Sequence, residues 1–339
     1  MAKAVHSRRV KTTALLTELE TYKKSLIYEC VAGKKEVEKV ECTKEVNNIA
    51  EYVQCIQQLK PYLYSQFGIR DDILLFRGQP NETYELMPGI GRNKLGIHER
   101  GCFLDERNLI EMAKYKLPDI FRNELAPLEL LALLQHHGIP TRLLDVTESA
   151  LVALFFACGG DEKADGEVFA FKSSNRNVVT YPVVQAIADS YRFIGPALPL
   201  AAFYAAVKNQ PYFAEEKHIL QIYHQDDVAG GKWIGECCQT PFYVYAPLRS
   251  IRQQVQHGRY ILFPNEISTE KCEDGYFIRN INPMPKDHPD IVARIIVPGS
   301  IKQELLQELR LFGITKSFLF CDNVDNVCQG VVDSFAVPY

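Results

Sequence analysis

The sequence predicts an α+β fold, and three observations support that prediction. Short apolar runs with strand composition recur along the 339 residues. Segments with apolar positions at helical spacing lie between them. The two kinds of segment interleave without the regular spacing that a doubly wound parallel sheet requires.

The elements follow in chain order. Residues 1–45 are rich in Lys and Glu, with Leu15, Leu16, Leu19, Tyr22 and Leu26 at helical spacing. This pattern predicts an amphipathic N-terminal helical extension, suited to docking, to a partner protein or to self-association. The rest of the chain, 46–339, reads as one large domain. Ile49, Tyr52, Val53, Ile56 and Leu59 predict a helix after Asn47-Asn48. Ile73-Leu74-Leu75-Phe76 reads as a buried strand that stops in the polar loop Arg77-Gly78-Gln79-Pro80. Residues 88–92, with two glycines, form a turn. Helices are expected over 106–115, 129–135 and 148–157, the second ending at His136-His137-Gly138. The third is apolar almost throughout and therefore buried. Asp165-Gly166 turns into an alternating strand over 167–172. The Ala-rich stretch 181–209 is helical but broken at Gly195-Pro196 and Pro199. Strand composition marks 219–223, 242–245, 259–263 and 293–297. A helix over 300–311 and a last strand over 316–321 close the chain.

Composition narrows the function classes. A net charge of −4 leaves no overall basic footprint, which argues against a protein that coats nucleic acid. None of the ten cysteines shows CxxC spacing, and several lie in apolar runs, as buried free thiols do in a reducing compartment. No metal is expected. The basic N-terminus runs into Glu18 and Glu20 rather than an apolar core, unlike a secretory signal. The longest strongly apolar stretch, 150–158, is about half of what a membrane helix needs. The expectation is a cytoplasmic protein with no membrane contact. P-loop, dinucleotide-fold, H-E-x-x-H and G-x-S-x-G motifs are all missing from the sequence.

Two segments concentrate polar chemistry. Arg77 ends an apolar strand, where a guanidinium is costly unless it meets an anion or several acceptors. Gly78 beside it would let a ligand approach the backbone. An anion clamp and an internal salt bridge are both consistent with Arg77. The second segment, 135–147, holds Gln135, His136, His137, Thr141, Arg142, Asp145 and Thr147 against an apolar helix, so these groups should be half-buried and paired. Thr147 and Glu148 suit the start of that helix. Asp145 could pair with Arg142 or cap the helix. One of the two histidines could sit satisfied in the core while the other caps a helix end.

These blocks together resemble the FRG domain family. The resemblance rests on Phe76-Arg77-Gly78-Gln79, on Leu86-Met87-Pro88 with Arg92, and on Gln135 through Asp145 with Thr147, Ser149 and the Ala-Leu-Phe-Phe-Ala run. Arg252, Gln256, Gly258 and Tyr260 fit a later R-x-x-x-Q-x-G-aromatic strand, and 293–320 fits the closing strand-helix-strand. The match covers roughly 45–335 and departs at Cys321, where proline is expected. The FRG layout is similar in turn to ADP-ribosyltransferases of the arginine-serine-glutamate type. That resemblance implies a mixed or antiparallel split sheet with flanking helices, and NAD as substrate. It places Arg77, Gly78, Gln79, His136, Thr141, Arg142 and Thr147 around the nucleotide. Gln256 or His257 stands where those enzymes carry a catalytic glutamate, so the carboxylate would come from Asp145 or Glu266, with Asp145 preferred. His137 would be a general base or ribose ligand.

Three readings follow. The first is an NAD-dependent ADP-ribosyltransferase or NAD glycohydrolase, acting on a nucleic acid, nucleotide or protein, as a toxin-like effector in bacterial antiphage defence. The second is a module that senses a nucleotide or nucleic acid without catalysis. The third is a hydrolase or nuclease using His136, His137 and Asp145, with or without a divalent metal.

Overall fold

The structure, a computed structural model, describes residues 43–60, 73–92, 106–160, 162–173, 177–178, 181–213, 223, 225–239, 241–247, 250–270, 273–322 and 328. All of them belong to one compact unit, residues 42–339. The helices expected within 1–45 lie outside the described residues, as does most of the strand expected at 219–223. Residues 43–45 form a strand.

The largest element is an eight-stranded mixed sheet in the order β1 (Thr43–Glu45), β11 (Ile291–Val297), β4 (Gly166–Ser173), β2 (Ile73–Gln79), β3 (Leu143–Thr147), β8 (Gly258–Leu262), β7 (Phe242–Tyr245), β5 (Asn177–Val178). The outermost pairs, β1 with β11 and β5 with β7, are parallel, and the rest are antiparallel. A small antiparallel sheet joins β6 (Ala197–Pro199), β10 (Tyr276–Ile278) and β9 (Ile267–Ser268). The large sheet is nearly divided. β2 and β3 meet only at Phe76 and Thr147, whereas β2 pairs with β4 along its whole length. Two four-stranded halves therefore share a single ladder pair.

Side-chain alternation assigns the two faces. On one, Leu75, Leu144, Val146, Phe169, Phe171 and Ile261 form an apolar layer that runs beneath both halves. On the other, each half has its own helical cover. Phe76, Val168 and Ala170 pack with α1 (Ile49–Gln58), α4 (Ala150–Ala157) and α9 (Lys302–Leu311). Leu143, Val244, Tyr260 and Leu262 pack with α3 (Pro127–His136), α5 (Pro182–Ala188), α6 (Leu200–Val207) and α7 (Asp227–Cys237). Between the two helical covers the sheet face is open. α2 (Glu106–Lys116), α8 (Ile251–Val255) and α10 (Lys316–Leu319) complete the described helices.

Local signals explain the boundaries. Asn48 caps α1 by accepting from the Glu51 amide at 2.9 Å. Ser149, rather than Thr147 or Glu148, caps α4. Segment 135–147 is only half loop, since Leu143 onward is a ladder strand against β8. Arg252 and Gln256 precede β8, on α8 and at its C-cap. The last expected strand, 316–321, is a correction: 316–319 is helical, because the Thr315 side chain caps its start and of the run Phe318-Leu319-Phe320 only Leu319 is buried. Cys158 is buried, which pushes its thiol up to about 12 and leaves it unreactive. Among the described residues no helix is long and apolar enough to cross a membrane.

Candidate functional site

A cavity of about 460 Å³ lies where the sheet divides, a volume typical of small-molecule sites. β3 explains its floor. Leu143, Asp145 and Thr147 project from the same face of the strand. Leu143 enters one helical core, Thr147 meets β2, and Asp145 between them is exposed in the gap. It is the sole acidic residue among the described residues that line the cavity.

Arg77 lies one residue beyond the last β2–β3 pair. Its Nη1 donates to the Asp145 carbonyl oxygen at 2.6 Å, a further tie between β2 and β3. Its Nε is buried and has no hydrogen-bond partner among the described residues. Burial, followed by the neighbouring Arg92, pushes the guanidinium down to about 10, so it remains charged at neutral pH. A half-buried cation that lines a cavity and has no acidic partner among the described residues is placed to receive an anion.

Asp145 is held by a directed relay. The buried Thr141 hydroxyl donates to Gln135 Oε1 at 2.5 Å, which orients the amide so that Nε2 donates to Asp145 Oδ2 at 2.9 Å. That bond engages one carboxylate oxygen and leaves Oδ1 for a ligand. Gln135, His136, Gly78, Thr147 and Gln256 also line the cavity. Two of these are already committed. Thr147 donates to the Gln256 carbonyl at 2.7 Å and accepts from the Ser149 amide at 3.0 Å, while Gln256 Nε2 donates to the Leu319 carbonyl at 2.9 Å.

Four expected site residues lie elsewhere. Arg142 is buried and paired in bidentate fashion with Glu106, with a further bond to Asn265 at 2.8 Å. It ties the core together, away from the cavity. Gln79 is buried against the Tyr84 carbonyl and Glu167. Thr141 acts behind Gln135 rather than in the cavity. His137 is the C-cap of α3, set edge-on to Phe121, and faces a smaller hollow of about 230 Å³. His136 is the histidine that reaches the main cavity. Gly78 departs from expectation in a different way. A Cβ there would lie 1.8 Å from the Ala153 carbonyl oxygen, so the glycine serves close packing of α4 on β2 rather than ligand approach.

Among the cavity residues that sequence reasoning did not single out as ligand contacts are Arg252, Arg259 and Tyr260. Arg259 pairs with Glu148 at 3.0 Å and covers the Tyr245 ring. Tyr260 is buried and accepts from Gln253. The Arg252 position was legible only as part of the later motif. His257 turns the chain into β8 with φ of 48°, and its carbonyl accepts from the Glu148 amide at 3.1 Å.

Burial, then His137, hold the His136 imidazole below its ordinary value of 6.5; Asp322, 3.8 Å away, opposes this and Arg252 reinforces it. The imidazole is thus neutral at neutral pH and can accept a proton. Because its folded value is depressed, the unfolded chain binds more protons as the solution is acidified below 6.5. Stability present above that pH is then lost. Between about pH 7 and about pH 5 the wild-type melting temperature should fall further than that of His136→Gln. Equal falls in the two proteins would contradict the assignment.

Residues 72–166 match the family model of the FRG domain, a span that runs from β2 to the start of β4 and includes Arg77, the Gln135 relay and Asp145. No curated protein and no solved structure matches the chain.

Proposed function

We propose that this member of the FRG domain family binds NAD in the cavity at the division of its sheet and breaks the nicotinamide–ribose bond, in the manner of an ADP-ribosyltransferase or NAD glycohydrolase. The observation that carries the reading is Arg77: a charged, half-buried guanidinium that lines the cavity where the two halves part and has no acidic partner among the described residues. A diphosphate supplies the anion such a group lacks. The near-division of the sheet supports the ADP-ribosyltransferase likeness in architecture.

Each cavity residue then has a defined part. Arg77 binds and orients the diphosphate. Asp145, fixed by Gln135, places negative charge where positive charge develops on the ribose as the bond weakens. His136, neutral at working pH, takes the proton of water or of an acceptor hydroxyl, the part first expected of His137. Gln256 cannot replace Asp145 electrostatically, since it carries no charge and its amide nitrogen is bound to Leu319.

A second reading, a nucleotide-sensing module without catalysis, is favoured by that same substitution of Gln256 for a carboxylate. One experiment separates the two. Purified protein is titrated with NAD by calorimetry and assayed for free nicotinamide. Binding with release supports the enzyme, binding without release supports the sensor, and the absence of both from a folded sample overturns NAD as ligand. Arg77→Gln is expected to weaken NAD binding by about ten- to a hundredfold, the worth of one or two charge-assisted hydrogen bonds.

A further inference from the structure

Arg252 is the second cavity arginine that lacks an acidic partner among the described residues. The capping box of Ser250 and Gln253 starts α8, and Arg252 lies in its first turn. The helix ends at Gln256, whose bond to the Leu319 carbonyl docks segment 315–320 alongside. That docking sets Phe320 beneath Arg252, with the guanidinium carbon 4.5 Å from the ring centroid. Phe320 is itself held edge-on by Phe156 of α4 at 6.1 Å. The Arg252 side chain makes no hydrogen bond and no ion pair with the described residues, whereas Arg259 is neutralised by Glu148 and Arg142 by Glu106.

A guanidinium stacked on an aromatic face keeps its N–H donors free at its edge, in a fork that matches phosphate oxygens. The ring restrains its position, so less side-chain freedom is left to lose on binding. Arg77 and Arg252 come from β2 and α8, on opposite sides of the division. We propose that Arg252 forms a second phosphate subsite of the cavity, separate from that at Arg77, so that the site takes two phosphate groups at once. The second phosphate has two conceivable sources: the ribose 2′-phosphate of the dinucleotide itself, or a separate nucleotide or nucleic-acid end that acts as acceptor. The proposal rests on the NAD reading only for the identity of the group at Arg77.

Calorimetric titration of wild type, Arg252→Gln and Arg252→Lys with four probes tests it. The probes are NAD, NADP, a 5′-phosphorylated trinucleotide and the same trinucleotide without phosphate. Arg252→Gln should weaken one phosphate-bearing probe by about tenfold or more while NAD stays within about twofold. Arg252→Lys, which keeps charge but loses the fork, should fall between. Loss confined to NADP places the second phosphate on the dinucleotide, and loss confined to the phosphorylated trinucleotide makes it the acceptor's. If NAD fails to bind but the phosphorylated trinucleotide binds and is lost in Arg252→Gln, the subsite stands and the NAD reading falls. Equal loss for NAD and every other probe, no loss for any, or no preference of wild type for the phosphate-bearing probes overturns the subsite.

Discussion

Asp145→Asn is expected to leave NAD affinity within about threefold while lowering nicotinamide release by about a hundred- to a thousandfold. The two side chains have the same shape. The substituted amide can still accept from Gln135 through its carbonyl oxygen, so the relay from Thr141 survives. Only the negative charge is removed. No other acidic side chain among the described residues lines the cavity, so none is placed to substitute for it. The split between binding and turnover distinguishes this role from others. A parallel loss of affinity would make Asp145 a binding group, and unchanged turnover would remove it from the chemistry. Growth arrest on expression, relieved by the same substitution, would further support a toxin-like effector.

Gly78→Ala is expected to destabilise the fold by about 3 kcal/mol, at the upper end of overpacking costs. The added methyl would lie 1.8 Å from the Ala153 carbonyl oxygen and 2.8 Å from the Ala157 nitrogen. Both are backbone atoms of α4, which cannot rotate away as a side chain could, so the helix must lift off β2. Gly166 makes the same demand on the next strand, 2.2 Å from the Ala157 carbonyl oxygen. Gly195→Ala provides the control, because nothing lies within 4 Å of its Cβ position, and a change within about 0.5 kcal/mol is expected. Chemical denaturation of the three proteins gives the comparison. A Gly78→Ala protein as stable as wild type would mean that α4 lies farther from the strand. The three residues at 76–78 thus have three different tasks. Phe76 fills the core, Gly78 admits the helix, and Arg77 faces the cavity.

Elements with a strong local period were legible in the sequence. The run Ile73-Leu74-Leu75-Phe76, the alternation through Val168 and Phe169, and the apolar face of α1 each carry their signal within one element, although the first strand runs on through the expected loop to Gln79, where β4 continues the ladder. The 316–319 segment shows where this fails. Its apolar run has strand composition, yet a single cap at Thr315 and the burial of Leu319 alone make it a helical turn.

Side-chain direction in the polar segment was harder to read. Arg142, Asp145 and Thr147 are close in sequence but point to different destinations. The partners of Arg142 lie 36 and 123 residues away, and no local pattern encodes them. His136 and His137 differ only in where the end of α3 faces, which its packing against the rest of the core decides.

Fold class, the FRG blocks and two segments that come to line the cavity, around Arg77 and within 135–147, could all be read from the amino-acid order alone. Three features arose only when the chain packed: β2 and β3 part after a single pair, Asp145 rather than Arg142 enters the gap, and Arg252 joins Arg77 there. The difference is one of range. Periodicity and capping act within a few residues, whereas a cavity is made where two separately packed cores fail to meet. That geometry depends on every long-range contact at once.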